Sequence, residues 1–326
     1  MNSYRASFDS ILGVKKKPNE HEKGLFERAQ KYIKKLSRIP GIEMIAIVNS
    51  LSMYATHAGS DIDLFIVVKP GMIWLVRFLV TLILWKHGVW RRHDDVAGNF
   101  CLSFFITTEV MDLSKIAIDN DIYLSYWIYY MKPIFVKDHI YEQFLEANQW
   151  VQVDAEQKIE NLKYILNQNL FPASSSCKFF VSVDEIFVKI ASVLNFAILE
   201  NGSDTDNKII YTPWGWKHGR LWRLLLLLVT KVKGNIPKST GQLYEEKPHK
   251  KQYTEDDQTF WLKKKGNFYG VVNTIIRFFL LPYTLKKYQK LWKPEWIIIS
   301  DTILKFHNED RRTEIRDRIL ENNFDK

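Results

Sequence analysis

Apolar residues recur at Leu25, Ala29, Ile33 and Leu36, three or four apart, which predicts an amphipathic helix over Glu20 to Lys35, and Pro40-Gly41 ends it. The pattern then changes period. Glu43 to Ser50 is a short apolar run of strand length, residues 51–60 are a loop or short helix, and Asp61 to Val68 is a second strand closed by Pro70-Gly71. Met72 to Trp85 is apolar throughout and reads as a helix. A polar loop follows, and Phe100 to Thr107 is a third strand. A further helix around Asp121 to Met131 ends before Pro133. This order predicts an α/β (α+β) fold with a mixed sheet and flanking helices. From Val151 on the pattern is mostly helical. The expected organisation is a basic N-terminal extension (1–24), the α/β domain (25–148) and a helical domain (149–326).

The 326 residues suit two domains, and a formal charge of +9 is concentrated in lysine clusters such as Lys15-Lys16-Lys17, Lys263-Lys264-Lys265 and Lys286-Lys287. Such clusters favour polyanionic partners, whether nucleotide phosphates, nucleic acid or an anionic membrane surface. The two cysteines, Cys101 and Cys177, lack the spacing of a disulfide framework or a zinc finger. Met72 to Trp85 is shorter than the roughly 20 apolar residues of a membrane span and carries Arg77; Phe268 to Leu285 is interrupted by Asn273, Arg277 and Pro282. No transmembrane span is expected. The N-terminus lacks the apolar core of a signal peptide, so the expected location is cytoplasmic, with peripheral contact to an anionic membrane left open for the basic-flanked helices.

Asp61 and Asp63 share one face at the start of the second strand, because side chains alternate with period two. Neighbouring carboxylates repel unless a cation or a proton sits between them. Hard divalent ions are held by one or two carboxylates together with substrate phosphates, so a metal and phosphate site is one reading. The other is an ordinary acidic turn.

The context of the pair, Val48-Asn49-Ser50 at the end of one strand and Ser60-Asp61-Ile62-Asp63-Leu64 opening the next, resembles the nucleotidyltransferase superfamily, the fold of DNA polymerase beta. The resemblance covers about residues 25 to 135. It implies that Asp61 and Asp63 hold Mg²⁺ or Mn²⁺, that Ser50 lies beside a triphosphate, and that Asn49, Ser60 and Lys69 complete the nucleotide-binding set. It departs from the family pattern twice. Asn49 stands where the family has glycine, and asparagine is the residue that best tolerates the left-handed backbone. The third catalytic carboxylate is missing: the place expected for it falls on Ser103, with Cys101 the second choice.

The implied activity is Mg-dependent transfer of a nucleoside monophosphate from a nucleoside triphosphate to a hydroxyl of an unknown acceptor, small molecule, RNA or protein. The alternatives are a catalytically silent nucleotide- or nucleic-acid-binding relative and a peripheral membrane-associated protein. Arg91 or Arg92 could neutralise phosphate in place of Lys69, and His57 could touch it; each is also ordinary surface. Residues 304–320 read either as an acceptor-binding surface or as a solvated charged helix, and Tyr211 to Gly219 as a base-stacking or packing loop. Dinucleotide, P-loop, nucleophile-elbow and HExxH patterns are absent from the sequence.

Overall fold

A computed structural model describes residues 2–92, 94–166, 255–289, 297–306 and 310–324, with side chains described from 269 onward in the third of these segments. The chain divides into two compact units, residues 1–166 with 261–326, and residues 167–260. The first is described below. The second, which carries most of the expected helical domain, lies outside the described residues apart from the opening turns of one helix, as do Tyr211 to Gly219 and Cys177.

The first unit is built on a mixed six-stranded sheet: β1 (Ile42–Ile47), β2 (Ile62–Val68), β3 (Phe100–Thr107), β4 (Lys132–Val136), β5 (Ile297–Ile299) and β6 (Ile303–Phe306), in the order β4-β1-β2-β3-β6-β5. The central β2–β3 pair is parallel and all other pairs are antiparallel. β4 forms one edge, where Pro133 costs no ladder bond to a missing neighbour.

One face of the sheet, with Met44, Phe65, Val67, Phe104 and Ile106, is covered by α1 (Asn2–Leu12), α5 (Ile122–Tyr130), α6 (Ile140–Ala147) and α9 (Arg312–Phe324). The other is covered by α2 (Glu20–Leu36) and α4 (Ile73–Lys86); Tyr32 packs edge-on to Phe100, and the Arg77 guanidinium lies over Phe105. A helix apolar on all sides is a buried helix, and α4 follows that rule. Its first free amides, Trp74 N and Leu75 N, donate to Asn273 Oδ1 from α8 (Glu255–Gln289), each at 3.0 Å. The asparagine that interrupts an apolar run is therefore a cap for another helix. Among the described residues no helix is long and apolar enough to cross a membrane.

Two expectations change. The N-terminal residues are part of the core: Phe8 is fully buried and stacks on Tyr126 with ring centroids 4.3 Å apart. Residues 297–306 are strands that lengthen the sheet past β3, so the chain returns to its first unit after residue 260. A short helix α3 (Asn49–Ser52) follows β1, and α7 (Ala155–Leu162) follows α6.

Candidate metal centre

Asp61 and Asp63 sit where β2 begins. Backbone bonds from Val48 N to Asp63 O (3.2 Å) and from Ile62 N to Asn99 O (2.9 Å) fix that end of the strand between two neighbours. β3 runs parallel beside it, with Cys101 opposite Asp63. The next register pair is Phe65 with Phe104, so β3 carries one extra residue between them, a β-bulge. The bulge inverts the alternation along β3. Cys101, opposite Asp63 ahead of the bulge, faces the acidic pair, the second choice of the sequence reading rather than the first, and its Sγ and one oxygen from each carboxylate all lie within 4.8 Å of one another. Ser103 is buried behind it and hydrogen-bonds the Cys101 thiol.

The electrostatics are those of a partly compensated cluster. Burial, and then the Asp61 charge, push the Asp63 carboxyl up to about 7, against the pull of hydrogen bonds from Asn49 and Cys101 and of the Arg91 charge. Burial, with Asp63 and Asp61, pushes the Cys101 thiol up as well, so it stays protonated and donates to Asp63. Arg91 Nη1 stands 2.8 Å from Asp61 Oδ2 and 3.5 Å from Cys101 Sγ. Its approach to the carboxylate is an ion pair without hydrogen-bond alignment: Asp61 Oδ2 is buried with no hydrogen-bond partner among the described residues. Arg91 thus brings a positive charge against two of the three ligand atoms, and the oxygen it pairs with lacks a hydrogen bond.

Asn49 links this cluster to a cavity. Its backbone is left-handed, φ +57°, the conformation for which asparagine is the best substitute for glycine. Its side chain donates to Asp63 and accepts from Tyr123 Oη at 3.3 Å. Burial and the charges of Asp63 and Asp310 push the Tyr123 hydroxyl up, so it remains a donor. Asn49, Ser50 and Tyr123 form one side of a cavity of about 340 Å³, a size suited to a small ligand, with Trp127, Lys305 and Arg311 among its other lining residues. That wall is held by an ion-pair chain: Lys305 Nζ reaches Asp310 Oδ2 (3.4 Å), Arg312 bonds both Asp310 oxygens (2.9 and 2.8 Å), and Arg312 Nη1 bonds Asp121 Oδ2 (2.9 Å), the N-cap of α5.

Other expected residues lie elsewhere. Lys69 is at the opposite end of β2, roughly 20 Å away at about 3.3 Å per residue, and faces Glu43 at 3.8 Å. Ser60 Oγ is buried and accepts from His57 N at 2.9 Å, shaping the turn before Asp61. His57 is exposed and accepts from Gly59 N, and Arg92 pairs with Asp95 through backbone. Arg91 takes the place expected of Lys69, because Trp90 bridges to Phe100 and returns the loop to the head of β3. Sequence reasoning missed Tyr123 and Lys305; the charged run at 310–312 was the signal that the C-terminal segment reaches a cavity. Comparison with family models, curated proteins and solved structures gives no match to the chain.

Two carboxylates suit Mg²⁺ or Mn²⁺, which take oxygen ligands and keep several waters. Asp61, Asp63 and Cys101 are the residues that could hold such an ion, at the place where Arg91 now stands against Asp61 Oδ2.

Proposed function

We propose that this chain is a divalent-metal-dependent nucleotidyltransferase, transferring a nucleoside monophosphate from a nucleoside triphosphate to an acceptor hydroxyl. The observation that carries the reading is the convergence of Asp61 and Asp63 at the head of β2, joined through Asn49 to a cavity of ligand size. A bound Mg²⁺ or Mn²⁺ supplies charge neutralisation at the reacting phosphate. Asp61 and Asp63 hold that charge, Asn49 orients Asp63, and Ser50 with the α3 backbone borders the space for phosphates. The acceptor oxygen bonds to the α-phosphorus as the bond to the pyrophosphate oxygen breaks. With no carboxylate at the Cys101 position, the hydroxyl proton leaves to solvent. A chain with two cysteines and a free thiol at its site suits a reducing compartment, and we place it in the cytoplasm.

Two observations favour a second reading, nucleotide binding without turnover: Arg91 already pairs with Asp61, and among the described residues the third member of the cluster is Cys101 rather than an acid. Incubation of the full chain with each labelled triphosphate and Mg²⁺ or Mn²⁺ separates the two. The proposal expects pyrophosphate release that drops at least about 100-fold in Asp61→Asn and Asp63→Asn. Release that is equal in wild type and variants overturns it, and saturable triphosphate binding without release supports the second reading.

A further inference from the structure

We infer that the third ligand of this centre is the Cys101 thiolate and that the centre takes a thiophilic divalent cation of the Zn²⁺ or Co²⁺ type in preference to Mg²⁺. The inference rests on the reading that the acidic pair holds a cation, and it concerns which cation. The geometry is set by the backbone. Parallel pairing of β2 and β3 puts Cys101 directly opposite Asp63, on the carboxylate face.

Three observations point to a ligand at this place. The two carboxylate oxygens and Sγ all fall within 4.8 Å of one another. Ligands on a tetrahedral ion with bonds of about 2.0 to 2.3 Å stand roughly 3.5 Å apart, so rotation of the side chains closes the remaining gap. Asp61 Oδ2 is buried without a hydrogen-bond partner among the described residues. The Arg91 guanidinium, standing against both Asp61 and Cys101, marks the spot as one of strong negative potential and acts as a stand-in cation.

The donor set then chooses the ion. Mg²⁺ demands oxygen ligands, whereas a thiolate suits zinc-like ions, whose affinity exceeds that of the earlier divalent metals at mixed sulfur and oxygen sites. On binding, the Sγ–H proton leaves to solvent and a sulfur–metal bond takes its place. Ser103 remains as hydrogen-bonding partner of the sulfur, a supporting contact of the kind that orients metal ligands. The fourth position is left to water or to a substrate oxygen, the open position of a catalytic centre.

Titration of the full-length protein with Co²⁺, followed by absorption, tests this. The expected result is a thiolate-to-cobalt charge-transfer band that saturates at one equivalent, persists in Cys177→Ser and is lost in Cys101→Ser. Cys101→Ser is also expected to weaken Co²⁺ at least about 10-fold while changing Mg²⁺ affinity less than about twofold. Circular dichroism confirms the fold of that variant, and Cys101→Ala gives a second test of the same loss. Co²⁺ binding that needs Asp61 and Asp63 but shows no sulfur band overturns the inference and leaves the two-carboxylate reading standing. A band that persists in Cys101→Ser overturns it too. Failure of both Co²⁺ and Mg²⁺ to bind overturns the inference together with the reading beneath it.

Discussion

Two carboxylate centres, Glu22 and the partly buried pair Asp61 and Asp63, are treated in opposite ways. Glu22, fully buried in the first turn of α2, is given every partner its oxygens can use. Lys15 Nζ donates at 2.8 Å, Asn19 N at 2.9 Å, and Thr56 N and Oγ1 at 3.2 and 3.1 Å. With Asn19 Oδ1 accepting from Glu22 N, it closes a capping box and ties the N-terminal segment to the loop that precedes Asp61. Burial pushes its carboxyl up, but the hydrogen bonds outweigh that and hold it below the usual range. Asp61 and Asp63 have only part of that compensation: Arg91 pairs with Asp61, and Asn49 and Cys101 bond Asp63, yet Asp61 Oδ2 has no hydrogen-bond partner among the described residues and Asp63 is still pushed up. A buried charge with its partners in place is architecture. A pair left short of them is, on the reading proposed above, the place for a cation supplied from outside.

That contrast predicts opposite responses to losing a charge. Glu22→Ala leaves Lys15 and the Asn19 and Thr56 donors without their acceptor and is expected to lower stability by about 3 kcal/mol, read by urea unfolding. A loss under about 0.5 kcal/mol would remove the distinction between the two centres. Asp63→Asn, which relieves a like-charge pair in a buried place, is expected to raise the stability of the metal-free protein by about 1 to 2 kcal/mol while abolishing divalent binding. A destabilised variant breaks the comparison on its other side.

Acid sharpens it further. The Glu22 pKa is lower folded than unfolded, so its contribution is complete above the unfolded value of about 4.5 and is lost as pH falls through the folded one. Unfolding free energies of wild type and Glu22→Gln should therefore differ by a constant amount above about pH 5 and converge below it. The smallest effect belongs to Arg91. Arg91→Gln removes the charge that now leans on Asp61 and Cys101, and divalent affinity measured calorimetrically should rise about three- to tenfold. A fall instead would make Arg91 a partner of the bound state.

Much of this was legible in the sequence, and the misses have local causes. β3 was expected at Phe100 to Thr107 and lies there, and the Asp61, Asp63 and Asn49 arrangement follows from alternation and turn chemistry within a few residues. Strict alternation puts Cys101 and Ser103 on one face, and the bulge that breaks the phase between Cys101 and Phe104 has no sequence signature of its own in the run from Phe100 to Thr107. Lys69 was set beside the pair because it closes the same strand, yet a strand keeps its two ends apart. β5 and β6 were read as part of a helical region: they are three and four residues long and are defined by pairing with each other and with β3, a contact no local window contains. The same return of the chain brings Lys305 and Arg311 to the cavity, which is why the charged C-terminal run could be noticed but not placed.

The central claim is that the acidic pair at the head of β2 holds a divalent cation, and thermal unfolding in rising Mn²⁺ tests it most directly. Wild type should gain about 2.7 kcal/mol of stability at 100 times the dissociation constant, seen as a rising Tm, while the Asp61→Asn/Asp63→Asn protein should show a flat line. An equal rise in both proteins, or no rise in either, would contradict it.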